Sequence, residues 1–299
     1  MRFAFAIPFK ARSACANWET AQRNLRRTVR SAMRAAAADD ALIVVACHDE
    51  PDLTSAAAAN VHVLPVPFPE PTNTQDAGRD KSRKRRSIGA WLGERLDSGA
   101  VYVMFLDADD LVHRDVVRHT LAHGHEHGSY LVNDAYSFDL RRRLLQHRPE
   151  GFDWARGSCF VCRFTLDELP TSADETTSAF AQFGASPDQR DHFEYPQLAT
   201  ELGRPPVPFP FAAAVYTVNH PESTWGRRSG GQRPIAPREL VWPKAARRVL
   251  ADEFFAPDLA DEVAGTFATL VPFARTSAER LPRKLRRPAR AFSRRRRTR

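Results

Sequence analysis

The chain has 299 residues, a net charge of +8, 42% hydrophobic residues and 27% charged residues, a composition that fits a globular enzyme of one large or two smaller domains. No stretch approaches the roughly 20 apolar residues that a bilayer-spanning helix needs. The apolar stretch at the N-terminus is too short for a signal peptide. These exclusions predict a cytoplasmic protein.

The positive charge is concentrated at the C-terminus. Residues 281–299 contain ten Lys or Arg and no acid, so the rest of the chain sums to −2. Such a tail is either a disordered solubilising end or a contact with an anionic membrane, which would place the protein at the inner face of that membrane. No nucleic-acid motif accompanies the tail, and we expect no nucleic-acid partner.

The first 66 residues predict the opening of an α/β layer. Apolar runs predict strands at 2–9, 41–47 and 61–66. Apolar residues at helical spacing predict a helix at 18–37, with Asn17 as its N-cap.

The next segment begins with a polar loop at 67–80 and a basic segment at 79–86, which we expect to precede a helix at 88–96. Further strands are predicted at 101–106, 129–132 and 211–218, and further helices at 111–127, 191–202 and 245–275.

Three carboxylates directly follow the apolar strand at 101–106: Asp107, Asp109 and Asp110. Ligands of open α/β sheets bind at the carboxyl ends of strands. Asp107 and Asp109 would point the same way in extended backbone, and such a pair suits Mg²⁺ or Mn²⁺ carrying a phosphate. Alternatively, Asp109 or Asp110 caps a helix that begins near Val112.

The run Phe-Leu-Asp-Ala-Asp-Asp at 105–110 resembles the DXD signature of glycosyltransferases with the GT-A fold, especially those similar to glycosyltransferase family 2. The resemblance covers residues 2–220, and it includes the order of the predicted strands and helices as well as the motif. It implies an α/β, GT-A (Rossmann-like) αβα sandwich with a mostly parallel central sheet and C-terminal helices. The implied domains are a catalytic domain at 1–220, a loop and helical extension at 221–280, and the tail at 281–299.

The resemblance also implies a nucleotide-diphosphate sugar as the donor and assigns roles to individual residues. Pro8 and Phe9 would line the nucleotide pocket. Asp49 would accept a hydrogen bond from the base, although an Asp before Pro51 also suits a simple turn. Asp107 would bind the ribose or the water shell of the metal, and Asp109 would coordinate the metal directly.

Two further groups would complete the donor site. Arg79, Lys81 and Lys84 could contact the diphosphate ahead of a helix N-terminus, which also favours anions, or they could form a solvated basic loop. His220 follows the predicted strand at 211–218, and the resemblance implies a His there as a second metal ligand. Imidazole suits Mn²⁺ better than Mg²⁺.

The acceptor hydroxyl needs a general base. The run Asp191-His192-Phe193-Glu194 opens a predicted helix after a polar loop, where the resemblance implies the base. We favour Asp191, with His192 and Glu194 as alternatives. Asp191 could also merely cap the helix, with Glu194 completing a capping box.

The sequence therefore predicts a metal-dependent, inverting glycosyltransferase whose acceptor is a cell-envelope or other glycan, or a lipid-linked sugar. A nucleotidyltransferase would carry a glycine-rich signature after the first strand, where this chain has Pro8-Phe-Lys-Ala-Arg-Ser13. An inactive sugar-nucleotide-binding scaffold is the non-enzymatic alternative.

Overall fold

The computed structural model describes residues 2–37, 41–96, 99–151, 157–184, 192–223 and 239–265. Asp191 and the basic tail at 281–299 lie outside the described residues. The strands are β1 (Arg2–Pro8), β2 (Ala41–Cys47), β3 (Val61–Pro65), β4 (Ala100–Phe105), β5 (Leu111–Val112), β6 (Ser129–Leu131), β7 (Ala135–Asp139), β8 (Leu144–Arg148), β9 (Phe160–Thr165), β10 (Val207–Pro208) and β11 (Ala214–Val218). The α-helices are α1 (Trp18–Ala35), α2 (Thr74–Gly93), α3 (Val116–Ala122), α4 (Tyr195–Glu201), α5 (Pro243–Arg248) and α6 (Pro257–Glu262).

Seven strands form the main sheet in the order β10-β6-β9-β4-β1-β2-β3. The four strands β4-β1-β2-β3 are each parallel to the next one in this order. Strand β9 is antiparallel to both β4 and β6. Strand β4 is fully buried from Val101 to Phe105, which explains its continuous apolar sequence. The predicted α/β fold with a mostly parallel central sheet is confirmed.

Helix α1 follows the sequence pattern closely. The side chain of Asn17 accepts a hydrogen bond from the backbone N–H of Thr20 at 2.8 Å, so the predicted N-cap is confirmed. Leu25, Val29 and Ala32 are completely buried on the face that packs against the sheet.

Two local predictions were wrong. The basic segment at 79–86 lies inside the twenty-residue helix α2, because Lys and Arg are good helix formers and Asp80 pairs with Lys84 one turn later. Its cations therefore project from the body of the helix and do not precede its N-terminus. Residues Leu111–Val112 form a strand paired with Ala214 and Val215, so the helix predicted from 111 begins only at Val116.

A second sheet has the order β5-β11-β7-β8, in which β11 is parallel to β7 and antiparallel to β5. Helices α5 and α6 pack against it around Val215, Leu250 and Phe254. Arg27 of α1 secures α6 through ion pairs with Asp258 at 2.6 Å and Glu262 at 2.8 Å. Within the described ranges, no helix combines the length and apolar character of a membrane span.

The cap of α1 gives a first test of the fold. Replacing Asn17 with Ala should lower the free energy of unfolding by about 1 kcal/mol, since one N–H of the first turn loses its acceptor. Urea titration measures this loss. Asn17→Asp preserves the acceptor and is the matched control, so an equal loss in both variants would contradict a capping role.

Candidate functional site

The carboxyl ends of β1, β2 and β4 lie at one edge of the main sheet because the three strands are parallel. The backbone ladder continues past the strands: the N–H of Phe9 donates to Ala46 O at 2.9 Å and the N–H of Leu106 to Ala6 O at 3.0 Å. The segments that follow these strands carry Asp49, Asp107 and Asp109 at this edge. Pro8 and Phe9, at the end of β1, are buried.

Asp49 joins two of these segments. One of its carboxylate oxygens accepts the backbone N–H of Arg12 at 2.7 Å, which ties the loop after β2 to the loop after β1. The side chain is half-buried. Its partner lies 37 positions away, unlike the local partner of a turn-forming Asp, and the contact holds the carboxylate at the sheet edge.

Asp107 faces two cations of α2. Its Oδ1 lies 2.6 Å from Lys81 Nζ and 3.6 Å from Arg85 Nη2, and its side chain is 21% exposed. Burial disfavours the ionised carboxyl, but Lys81, Arg85 and, more weakly, His192 outweigh it and lower the pKa of Asp107. Lys81 and Arg85 therefore favour the ionised form of this carboxylate.

Asp109 and His220 are brought into contact by β4 and β11. Asp109 Oδ2 lies 3.1 Å from Nε2 of His220, whose side chain is 2% exposed. The hydroxyl of Thr217 donates to the backbone carbonyl of Asp109 at 2.5 Å and fixes the loop after β4 to β11. A carboxylate and an imidazole form a donor pair that suits Mn²⁺.

No group of three or more His, Cys, Asp or Glu side chains that could hold a metal occurs among the described residues. Asp109 and His220 by themselves supply two donor side chains. Mg²⁺ and Mn²⁺ bound with substrate phosphates commonly use only one or two protein ligands, and phosphate oxygens and waters supply the rest.

The loop that carries His220 is fixed on both sides. Asn219 has a φ of +59°, a left-handed conformation that Asn tolerates, and its amide donates to the buried Asp139 at 2.7 Å. Glu222 is buried and accepts the backbone N–H of Asn17 at 2.5 Å, at the N-terminus of α1 where a negative charge is favoured. Lys10 pairs with the same carboxylate.

Asp110 does not cap a helix, so that interpretation was wrong. It is completely buried, and it accepts hydrogen bonds from Ser158 Oγ at 2.6 Å and from the backbone N–H of Thr217 at 3.2 Å. Ser158 Oγ in turn accepts the N–H of Asp107 at 2.8 Å. Burial, followed by repulsion from Asp109 and Asp107, raises the pKa of Asp110. Asp110 thus joins the carboxylate loop to the segments around β9 and β11.

The three cations predicted to bind phosphate lie in different places. Lys81 contacts Asp107 and is 32% exposed. Arg79 is 46% exposed and lies 3.7 Å from Asp76. Lys84 is completely buried and donates to Asp80 at 2.7 Å, and Asp80 also pairs with His48 at 2.6 Å. Burial lowers the pKa of Lys84, which lies below the end of β2 in the interior.

Sequence reasoning missed three residues that shape the site: Arg85, Gly157 and Ser158. Arg85 follows Lys81 by four positions, so the helical period could have placed it on the same face once the extent of α2 was known. Gly157 and Ser158 precede β9 and give no motif. Their role depends on the antiparallel pairing of β9 with β4, which a local pattern does not reveal.

No protein-family model and no curated protein matches the sequence. Among solved structures, the chain is similar to a Desulfovibrio desulfuricans G20 protein that is provisionally described as a nucleotide-diphospho-sugar transferase. The two share 9% sequence identity with a TM-score of 0.40, and the match covers 87% of this chain and 94% of that one.

Asp110 gives a prediction about pH. Asp110→Asn keeps the shape and the acceptor for Thr217 but removes the buried charge, whereas Asp110→Ala leaves buried polar partners unmet and should cost about 1–3 kcal/mol. The pKa of Asp110 is higher in the folded protein than in the unfolded chain. The wild type therefore loses free energy of unfolding as pH rises from the ordinary carboxyl pKa, about 4, through the raised pKa of the folded state. Urea unfolding across that pH window should show the free energy of unfolding of Asp110→Asn rising relative to that of the wild type. A constant difference would contradict a titrating Asp110.

The close approach of Gly157 to Asp107 can be tested by adding a methyl group at position 157. A Cβ built on Gly157 would lie 2.4 Å from Asp107 Oδ2, so Gly157→Ala must displace that carboxylate and should cost about 1–3 kcal/mol. Gly93→Ala is the matched control, because its Cβ would meet no atom closer than 3.9 Å. Equal unfolding free energies for the two variants would contradict the close approach of Gly157 to Asp107.

Proposed function

We propose that the chain is a metal-dependent glycosyltransferase that moves a sugar from a nucleotide-diphosphate sugar to an acceptor hydroxyl. The observation that carries this proposal is the convergence of Asp107, Asp109 and His220 at the carboxyl edge of a mostly parallel sheet, with Lys81 beside them. Carboxylates and an imidazole can hold a divalent metal, and an ammonium group can offset the charge of a diphosphate.

In this proposal Asp109 and His220 hold Mn²⁺ or Mg²⁺, since their donor atoms already lie 3.1 Å apart. The bound cation would supply Lewis-acid stabilisation of the departing nucleoside diphosphate. Asp107 would face the ribose or the water shell of the metal. Its lowered pKa supports this role, because an ionised carboxylate accepts hydrogen bonds at both oxygens.

Lys81 is the best-placed phosphate ligand among the cations of α2. Its ammonium group lies at the edge beside Asp107, and its partial exposure leaves the flexible side chain room to turn toward a diphosphate. Arg79 precedes Lys81 by two positions and therefore leaves α2 on a different side, but it is 46% exposed and could assist. Lys84 is buried and donates to Asp80, so it is better suited to supporting the end of β2 than to binding phosphate.

The nucleoside would lie over β1 and β2. Asp49 would accept a hydrogen bond from the base through the oxygen that does not bind Arg12, while Pro8 and Phe9 would shape the floor. These assignments follow the family resemblance, and the placement of the three residues at one sheet edge is consistent with it.

Asp191 remains our proposed general base for an inverting transfer, as the family 2 resemblance implies. Its neighbours His192 and Glu194 belong to the short 3-10 helix before α4. They remain the alternatives. The acceptor would be a cell-envelope or other glycan, or a lipid-linked sugar, and residues 281–299 would bring the protein to an anionic membrane at its cytoplasmic face.

The test is calorimetric titration of UDP, GDP and dTDP into the protein with and without Mn²⁺. Wild type should bind at least one of them in a Mn²⁺-dependent manner. Asp109→Asn should weaken that binding by tenfold or more, which corresponds to about 1.4 kcal/mol, because the metal loses its charged ligand. Asp174→Asn is the control, since that carboxylate is 76% exposed and its pair with Arg83 lies at the surface.

The outcomes separate the alternatives. No metal-dependent binding of any of the three nucleotides would contradict the proposed function. Metal-dependent binding without release of nucleoside diphosphate from the corresponding sugar nucleotides, in the presence of glycan acceptors, would favour the inactive scaffold. Release of pyrophosphate from a nucleoside triphosphate and a sugar phosphate would favour the nucleotidyltransferase.

A further inference from the structure

Arg85 is a buried cation directly beside the proposed site. Its side chain is 1% exposed, and its guanidinium lies 4.9 Å from the centre of the Phe105 ring, at the end of β4. Nη1 donates to the hydroxyl of Tyr195 at 2.8 Å and to the carbonyl of Phe183 at 3.3 Å. A guanidinium in such surroundings needs a compensating negative charge.

That charge is Asp107. Nη2 of Arg85 lies 3.6 Å from Asp107 Oδ1, and within the described part of the chain neither Nε nor Nη2 has a hydrogen-bond partner. A buried guanidinium with two unpaired nitrogens is costly, so this side of the group is available to a stronger contact. A small movement of the Asp107 carboxylate would provide it.

Lys81 and Arg85 differ in their freedom to move. Lys81 makes the shorter contact with Asp107, 2.6 Å, but it is 32% exposed and flexible. Arg85 is buried against the ring of Phe105 and held by two hydrogen bonds. A diphosphate that attracts Lys81 would therefore leave Arg85 as the cation that remains with Asp107.

The same guanidinium reaches the segment of the proposed base. Tyr195 is the first residue of α4 and directly follows the 3-10 helix His192–Glu194. Its hydroxyl accepts from Arg85 and donates to Phe183 O at 2.7 Å, so the hydroxyl has both a donor and an acceptor as neighbours. Arg85 is thus in contact with both Asp107 and the beginning of α4.

We propose that Arg85 is a positioning residue that holds Asp107 when Lys81 turns to the diphosphate and that couples this carboxylate to the start of α4. This inference rests on the proposed function for the departure of Lys81. The coupling itself is a property of the free protein, so it can be measured without a ligand.

The first experiment is hydrogen–deuterium exchange on the ligand-free protein. Arg85→Met should accelerate exchange about tenfold in peptides covering both 107–112 and 192–201, because local opening is easier at both ends of the lost contact. Arg86→Met is the matched control: Arg86 is the next residue of α2, is nearly as buried, and donates to Ala173 O at 2.7 Å. It should affect the region around 173 and leave the two peptides unchanged.

The second experiment is titration of Mn²⁺ with UDP, GDP or dTDP. Arg85→Met should weaken binding about tenfold, and Arg85→Lys should recover part of the loss because it restores the positive charge but not the planar fork. If Arg85→Met does not fold, as judged by circular dichroism, Tyr195→Phe replaces it. Loss of that hydroxyl should accelerate exchange at 107–112 through Arg85.

Unchanged exchange in 107–112 and 192–201 would overturn the coupling, as would equal effects of the Arg85 and Arg86 variants. Accelerated exchange in a protein that binds none of the nucleotides would instead sink the proposed function and leave the coupling intact. Wild-type nucleotide affinity in Arg85→Met would overturn the positioning of Asp107 for the ligand.

Discussion

The buried carboxylate of Asp110 is the constraint on which the site depends. It accepts hydrogen bonds from Ser158, which precedes β9 in the main sheet, and from Thr217 of β11 in the second sheet. Thr217, which precedes His220 by three positions, also donates a hydrogen bond to the backbone carbonyl of Asp109. The loop after β4 is therefore fixed to both sheets at once, and Asp109 meets His220 as a consequence.

Charge balance is the second organising factor. Three carboxylates within four positions repel one another, and α2 offsets this repulsion with cations spaced one turn apart. Lys81 and Arg85 are two such cations, four positions apart, and they face Asp107 at the end of β4. In the adjacent row of α2, Asp80 pairs with Lys84 and with His48 after the end of β2. One helix thus supports the ends of β2 and β4, the two strands that flank β1.

The sequence was sufficient wherever a local pattern carried the information. Continuous apolar runs predicted β1, β2 and β4, and a polar residue before a helical pattern predicted the cap at Asn17. It was insufficient where distant segments meet. The burial of Asp110 depends on partners 48 and 107 positions away, and β5 exists only through its pairing with β11. The burial of Lys84 could not be predicted either, because the local sequence does not reveal which cations of α2 face the interior.

The most direct test of the central claim is a crystal structure of the protein soaked with Mn²⁺ and the nucleoside diphosphate that binds best. We predict an anomalous-scattering peak for Mn²⁺ between Asp109, His220 and the diphosphate, with Lys81 turned from Asp107 to a phosphate oxygen. A metal and nucleotide bound away from this sheet edge, with the Lys81–Asp107 and Asp109–His220 contacts unchanged, would contradict the account.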